Sequence, residues 1–188
     1  MPESQTTDEE LARQVQTGHM ASFAELVRRY QDKLLRYGSR FLRGSPDVED
    51  IVQEVMIKAY RNINSYNTQQ RFSPWIYRIA HNAFVDVLKR RHLEAVPFFN
   101  PDELWPHPQA TDNPVLDTDR TLIRQQLEKC LNDLAAKYRE PLVLRYFDDL
   151  SYKEISNILR IPVGTVSIRL KRGLQQLQTI YRDNGYHL

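Results

Sequence analysis

The sequence predicts an all-α protein: two small helical domains joined by a flexible linker, the second carrying a helix-turn-helix. Three observations predict it. Apolar residues recur at helical spacing through most of the 188 residues, with no convincing strand pattern and no internal repeat. A proline-rich acidic stretch divides the chain. Near the C-terminus, two short helical patterns flank Arg160-Ile161-Pro162-Val163-Gly164, a break that no straight helix places at its centre.

In chain order, Asp8 to Thr17 reads as a short helix ended near Gly18. Ser22 and Glu25 have the spacing of a capping box. They open a helix with Phe23, Leu26, Val27, Tyr30, Leu34, Leu35 and Phe41 at helical spacing, ended by Gly44. Ser45-Pro46-Asp47 restarts the chain with a cap, a proline at the first helical position and acids in the first turn. That helix runs to about Asn62 and buries Ile51, Val52, Val55 and Ala59, with Tyr60 at the edge of the stripe. Tyr66 to Phe72 is polar and loop-like. Ser73-Pro74 opens a further helix through Trp75, Ile76, Ile79, Ala80, Ala83, Phe84, Val87 and Leu88, closing in Lys89-Arg90-Arg91-His92. The first domain is therefore placed at residues 8–92.

The linker is placed at residues 93–120. Five of the chain's ten prolines fall between Pro97 and Pro114, beside Asp102, Glu103 and Asp112 and few cations. Such a segment is extended rather than folded. Phe98, Phe99 and Trp105 read either as docking anchors or as parts of a loose tether.

The second domain is placed at residues 121–184. Helical patterns run from Thr121 to Ala136 and from Glu140 to Phe147. Ser151 and Glu154 offer a second capping box, opening a helix to Leu159. After the break, Thr165 to Leu177 turns Val166, Leu170, Leu174 and Leu177 inward and Ser167, Arg169, Lys171 and Arg172 outward. A residue at ease in the left-handed region suits the turn better than Arg160. Gly173 interrupts the second helix at a cost of about 1 kcal/mol against Ala.

Composition excludes several functions. Net charge is +2, so a basic surface can arise only by local segregation. The single cysteine, Cys130, excludes an intramolecular disulfide or a Cys-based zinc cluster, and its apolar surroundings make it a core residue. No stretch approaches the roughly 18 apolar residues of a membrane span. The polar, acidic N-terminus is not a secretory signal. A cytoplasmic protein without membrane insertion is expected. There is no nucleophile elbow, no phosphate-cradling glycine loop, and the five histidines are scattered. No catalytic residue, metal or cofactor is expected, which disfavours an enzyme acting on nucleic acid.

Two short helices, a tight turn and a polar, cationic second helix are the parts that enter a major groove, so duplex DNA is the first partner to consider. The plainer reading is a helical hairpin with a solvated basic face. In the first domain, Asp50, Gln53 and Glu54 share one helix face opposite the apolar stripe. They form either a solvated face or an acceptor patch. Tyr66, Phe72, Trp75 and Tyr77 interleave with Arg71, Arg78, His81, Asn82, Lys89, Arg90 and Arg91. Rings beside cations hold unstacked bases and phosphates, although Phe72 and Trp75 also fit a core.

Three strings carry a family resemblance. Asp47-Val48-Glu49-Asp50-Ile51-Val52-Gln53-Glu54-Val55-Met56-Ile57-Lys58-Ala59-Tyr60 resembles conserved region 2.2 of bacterial sigma factors. Phe72-Ser73-Pro74-Trp75-Ile76-Tyr77-Arg78-Ile79-Ala80-His81-Asn82 resembles the promoter-melting segment of the extracytoplasmic-function (ECF) group of the sigma-70 family. Tyr138-Arg139-Glu140-Pro141-Leu142-Val143-Leu144-Arg145-Tyr146, with the stretches 150–155 and 161–166, resembles that group's region 4. The resemblance implies a sigma-2 and a sigma-4 domain and a non-enzymatic transcription initiation subunit in stress responses. It implies core RNA polymerase as a partner through Asp50, Gln53 and Glu54, at the clamp-helix coiled coil of the largest subunit. It implies −10 promoter DNA, melted strand included, at Tyr66, Asn67, Arg71, Phe72, Arg78 and Asn82. It places Thr165, Ser167, Ile168, Arg169, Lys171 and Arg172 on the helix that reads the −35 duplex. An anti-sigma factor is a further partner that the family often has. The competing reading is a helix-turn-helix regulator with an N-terminal sensing or dimerising domain.

Overall fold

The computed structural model describes residues 6–43, 45–94 and 118–186. The expectations for Gly44 and for Phe98, Phe99 and Trp105 fall outside them. Among the described residues there are eight α-helices, one short 3-10 turn and no strand. The first domain comprises α1 (Asp8–Gln16), α2 (Ala21–Phe41), α3 (Val48–Asn62), the 3-10 turn Ile63–Ser65 and α4 (Phe72–Glu94). The second comprises α5 (Thr118–Asp133), α6 (Ala136–Tyr146), α7 (Tyr152–Leu159) and α8 (Val163–Asp183).

Thr7 caps α1 by accepting from the Glu10 amide at 3.2 Å. Gly18 then takes φ +99°, where a side chain would strain the turn into α2. The expected capping box at Ser22 does not form. The Ser22 and Phe23 amides bond to the carbonyls of His19 and Met20, so the helix has already begun. Ser22 instead donates to Gln14 Oε1 at 2.6 Å and ties α2 to α1. Glu25 turns to Arg28 and Arg29, whose hydrogen bonds hold its carboxyl down to about 2. Ser45-Pro46-Asp47 likewise forms a turn ahead of α3 rather than its first turn. Ser45 Oγ accepts from the Asp47 amide two residues on, at 3.4 Å. The core of this domain joins Tyr37 and Phe41 of α2, Val52 and Val55 of α3, and Phe72, Ile76 and Phe84 of α4.

In the second domain α6 begins at Ala136, four residues before the expected Glu140, and carries Pro141 inside it. The Ala135 carbonyl accepts from Tyr138 and Arg139 at 2.9 and 3.0 Å and nucleates that earlier turn. Arg139 is buried there. It donates to the carbonyls of Asn132 and Leu134 at 3.2 and 3.4 Å, where α5 runs out of amide partners. Burial lowers its pKa to about 10. Cys130 is buried, as expected, and burial pushes its thiol up.

The capping box of the helix-turn-helix forms. Ser151 Oγ accepts from the Glu154 amide at 3.3 Å, and Glu154 Oε2 accepts from the Ser151 amide at 2.8 Å. Arg160 does adopt the left-handed region, at φ 54°. The inward side of α8 differs from expectation at one residue. Val166 and Leu170 are buried, but Leu174 is 43% exposed and Gly173 is buried in its stead. A Cβ on Gly173 would sit 3.0 Å from Leu142 Cδ1 and 3.3 Å from the Tyr138 carbonyl, so glycine lets α8 lie close on α6. The helix accepts that residue because packing outweighs propensity.

The two domains pack on each other, α4 against α7 and α2 against α6. Tyr77 donates to Asp148 Oδ1 at 2.6 Å across this junction. Burial raises the Asp148 carboxyl to about 6, against the lowering pull of Tyr77, Arg40, Arg36 and Lys33. A carboxyl with a raised pKa favours the folded state while protonated and loses that contribution as pH rises. The window runs from about 4, its ordinary value, to about 6. Asp148→Asn keeps an acceptor for Tyr77 and removes the charge. The melting temperature of the wild type should therefore fall relative to Asp148→Asn between pH 4 and 6. Parallel pH curves for the two proteins would contradict this.

Candidate nucleic-acid interface

Three surfaces hold the residues singled out by sequence. The first is on α3. Asp50, Gln53 and Glu54 are all exposed on one side, and among the described residues Glu54 has Lys58 alone as an ion-pair partner, at 3.8 Å. Beside them runs a groove of about 470 Å³ between α2 and α3, lined by Val27, Leu35, Met56, Ile57 and Gln53 among others. Ile57 is 51% exposed. An acceptor row flanking an apolar groove suits a basic helix with one apolar face. Periodicity does not reveal the groove, because its residues continue the apolar stripe and read as core.

The second surface is the loop before α4 and the helix itself. Tyr66 and Phe72 are buried, which corrects the expectation that their rings are offered to bases. Their rings pack edge to face at 5.3 Å, and Trp75 packs against both. The Tyr66 hydroxyl donates to the Gln70 carbonyl, tying the loop shut. Gln16 donates to the carbonyls of Ile63 and Tyr66 at 2.7 and 2.8 Å, and Glu9 accepts from the Phe72 amide at 2.9 Å. Sequence reasoning misses these α1 residues; nothing local signals them, because their partners lie about fifty residues or more away. The aromatic cluster is thus a rigid base for the loop. What the loop shows outward is polar: Asn67, whose Oδ1 accepts from the Gln69 amide at 3.0 Å, and Arg71. Arg78 and Asn82, one turn apart on α4, are also exposed. Tyr77 and His81, on the adjoining face, turn instead to Asp148 and Glu140.

The third surface is α8. Ser167, Lys171 and Arg172 are exposed, Ile168 is 54% exposed, and Thr165 and Arg169 are half-buried at its flanks. Lys171 and Arg172 have no ion-pair partner among the described residues. Among the described residues no cluster of three or more His, Cys, Asp or Glu is arranged to hold a metal, and no helix is long and apolar enough to cross a membrane.

A helical domain with a polar loop and helix face, packed against a helix-turn-helix domain with an unpaired cationic helix, defines a two-domain DNA-binding protein. Similarity to known proteins narrows the class. Residues 26–94 match the family model "Sigma-70 region 2" and residues 124–177 match "Sigma-70, region 4". The chain is 36% identical to the ECF RNA polymerase sigma factor SigW of Bacillus subtilis, over 91% of this chain and 95% of that one. The fold is shared with CnrH, solved in complex with the cytosolic domain of CnrY: TM-score 0.70, 22% identity, 94% of this chain and 97% of that one. It is shared as well with the Bartonella quintana sigma factor RpoE, solved with the anti-sigma factor NepR: TM-score 0.67, 24% identity, 85% and 96% covered. This chain belongs to the ECF group of the sigma-70 RNA polymerase sigma factors. The match of the first domain to sigma-70 region 2 leaves no support for a sensing or dimerising domain there.

Proposed function

We propose that residues 8–92 bind core RNA polymerase and the −10 element, that residues 93–120 link, and that residues 121–184 read the −35 element. The observation that carries this is the exposed row Asp50, Gln53 and Glu54 beside an apolar groove, on the same chain as an outward cationic recognition helix. In this reading the protein acts in the cytoplasm and is not itself an enzyme. It supplies contacts that position polymerase and stabilise separated strands. An anti-sigma factor is an inhibitory partner consistent with that role. The test is run-off transcription with core polymerase over a promoter library. Specific start sites with shared −35 and −10 sequences are expected, and core-only initiation would overturn the proposal.

Within this function, Asn67, Arg71, Arg78 and Asn82 act on the −10 element, while Tyr66 and Phe72 hold the loop's shape. Arg71 and Arg78 suit phosphates, and Asn82 offers a donor and an acceptor to an extruded base. Base flipping costs a few kcal/mol, which such contacts offset. Asn82→Ala should lower open-complex formation about tenfold or more, the loss of one or two hydrogen bonds, with initial duplex binding nearly unchanged. Permanganate reactivity of melted thymines reports the difference. Normal melting by the variant would remove Asn82 from the site.

A further inference from the structure

Helix α1 holds the loop before α4 at both of its ends. At the near end, the Gln16 side chain reaches the carbonyls of Ile63 and Tyr66 at 2.7 and 2.8 Å. Both partners are acceptors, so only the amide NH2 fits there, and both of its hydrogens are used. At the far end, Glu9 Oε1 accepts from the Phe72 amide at 2.9 Å. Phe72 opens α4, and the N–H of a first helical residue has no partner within its helix. The residue ahead of it, Arg71, has no side-chain acceptor, so the cap comes from another helix. A carboxylate in that place also meets the positive end of the helix dipole.

Glu9 and Gln16 lie about two turns apart on α1 and share one face. α1 is itself fixed on α2 near both ends. Asp8 accepts from Arg29 and from the Tyr30 hydroxyl at 2.7 and 2.5 Å, and Gln14 accepts from Ser22 at 2.6 Å. Between the two held stems, residues 67–71 form a closed turn. The Gln70 amide donates to the Asn67 carbonyl at 3.0 Å, and the Tyr66 hydroxyl donates to the Gln70 carbonyl. The turn is carried as one piece, so its place beside α4 follows from where α1 holds its stems. Base and phosphate contacts ask different things of such a mount. Hydrogen bonds to a base edge need their groups held within about 0.5 Å of the productive place. A cation on phosphate tolerates more and carries no sequence information.

We propose that α1 sets the base preference of the −10 loop, with Glu9 and Gln16 as positioning residues that hold residues 67–71 where they accept one base of the melted strand and refuse the others. This rests on the −10 reading of the loop given above. Neither residue touches DNA; each acts through the backbone that it holds.

The variants are Gln16→Ala, Glu9→Ala and Glu9→Gln, each in the full chain assembled with core polymerase. The probes are pre-melted promoter duplexes taken from the run-off selection, with each non-template −10 base changed in turn to the other three. Gln16→Ala and Glu9→Ala should lower the preference for the selected base at the loop's position about five- to tenfold. Affinity for core polymerase should be unchanged, and hydrogen exchange across residues 66–72 should quicken. Glu9→Gln keeps an oxygen for the Phe72 amide, so it should retain the wild-type preference and slow exchange. Should Gln16→Ala unfold, the two Glu9 variants decide alone. Folded alanine variants with wild-type preference overturn the proposal. An equal loss on every template overturns it too, because α1 then supports only the fold, and so does a Glu9→Gln protein as impaired as Glu9→Ala. A wild type that takes all four bases alike at every −10 position overturns the −10 reading itself, an outcome distinct from variants that match a discriminating wild type.

Discussion

Reversing Asp50 and Glu54 together to arginine should abolish capture of core RNA polymerase, a loss of at least a hundredfold in affinity. Both side chains are exposed, one turn apart on α3, and bracket Gln53 at the mouth of the α2–α3 groove. A carboxylate row accepts charge-assisted bonds from arginine or lysine of a docking helix. Arginine in both places turns each attraction into a like-charge juxtaposition, which costs several kcal/mol. The fold bears the change easily, because within the chain it breaks the 3.8 Å Glu54–Lys58 pair, worth about 0.2–0.5 kcal/mol. Helical circular dichroism should be unchanged. A folded double variant that still pulls down polymerase with wild-type affinity would mean that the face is merely solvated.

The two capping boxes show what sequence could and could not convey. Ser151 and Glu154 form theirs because Ser151 is extended, at φ −70°, ahead of the helix and among the described residues no tertiary partner competes for it. Ser22 and Glu25 have equivalent spacing, yet Gln14 claims one and two arginines the other. The outward face of α8 was legible because a long amphipathic helix repeats its period several times. Periodicity went wrong at Leu174, where α8 needs close approach to Tyr138 and Leu142 through Gly173 rather than an apolar side chain, and at Arg169, which is half-buried rather than outward. Tyr66 and Phe72 are the instructive miss at the site. Rings among cations have the same pattern whether they meet bases or each other, and only the packing with Tyr30 and Trp75 decides. The bonds between domains join residues 59 to 103 positions apart, and no local pattern encodes such pairs.

On the second domain, Arg172→Ala and Lys171→Ala should separate base reading from phosphate binding. Val166, Leu170 and Gly173 fix the buried side of α8. Ser167, Ile168, Lys171 and Arg172 therefore share the exposed side, while Arg169 is half-buried at its flank. Among the described residues neither Lys171 nor Arg172 has an acid to pair with, so each reaches DNA without first breaking an ion pair. Arginine's planar fork matches the two acceptors of guanine, and a bidentate contact contributes about 1–3 kcal/mol of discrimination. Lysine is a compact point charge better suited to phosphate. Arg172→Ala should thus lower transcription about ten- to hundredfold on the preferred −35 element and much less on variants substituted at the contacted base pair. Lys171→Ala should weaken all sequences alike and reduce the salt slope of binding by about one. The two proteins should be assayed on a panel of −35 substitutions at two salt concentrations. If Arg172→Ala depresses every promoter by one factor, Arg172 positions the domain on the backbone, and sequence is read by Ser167 and by Ile168 against a thymine methyl.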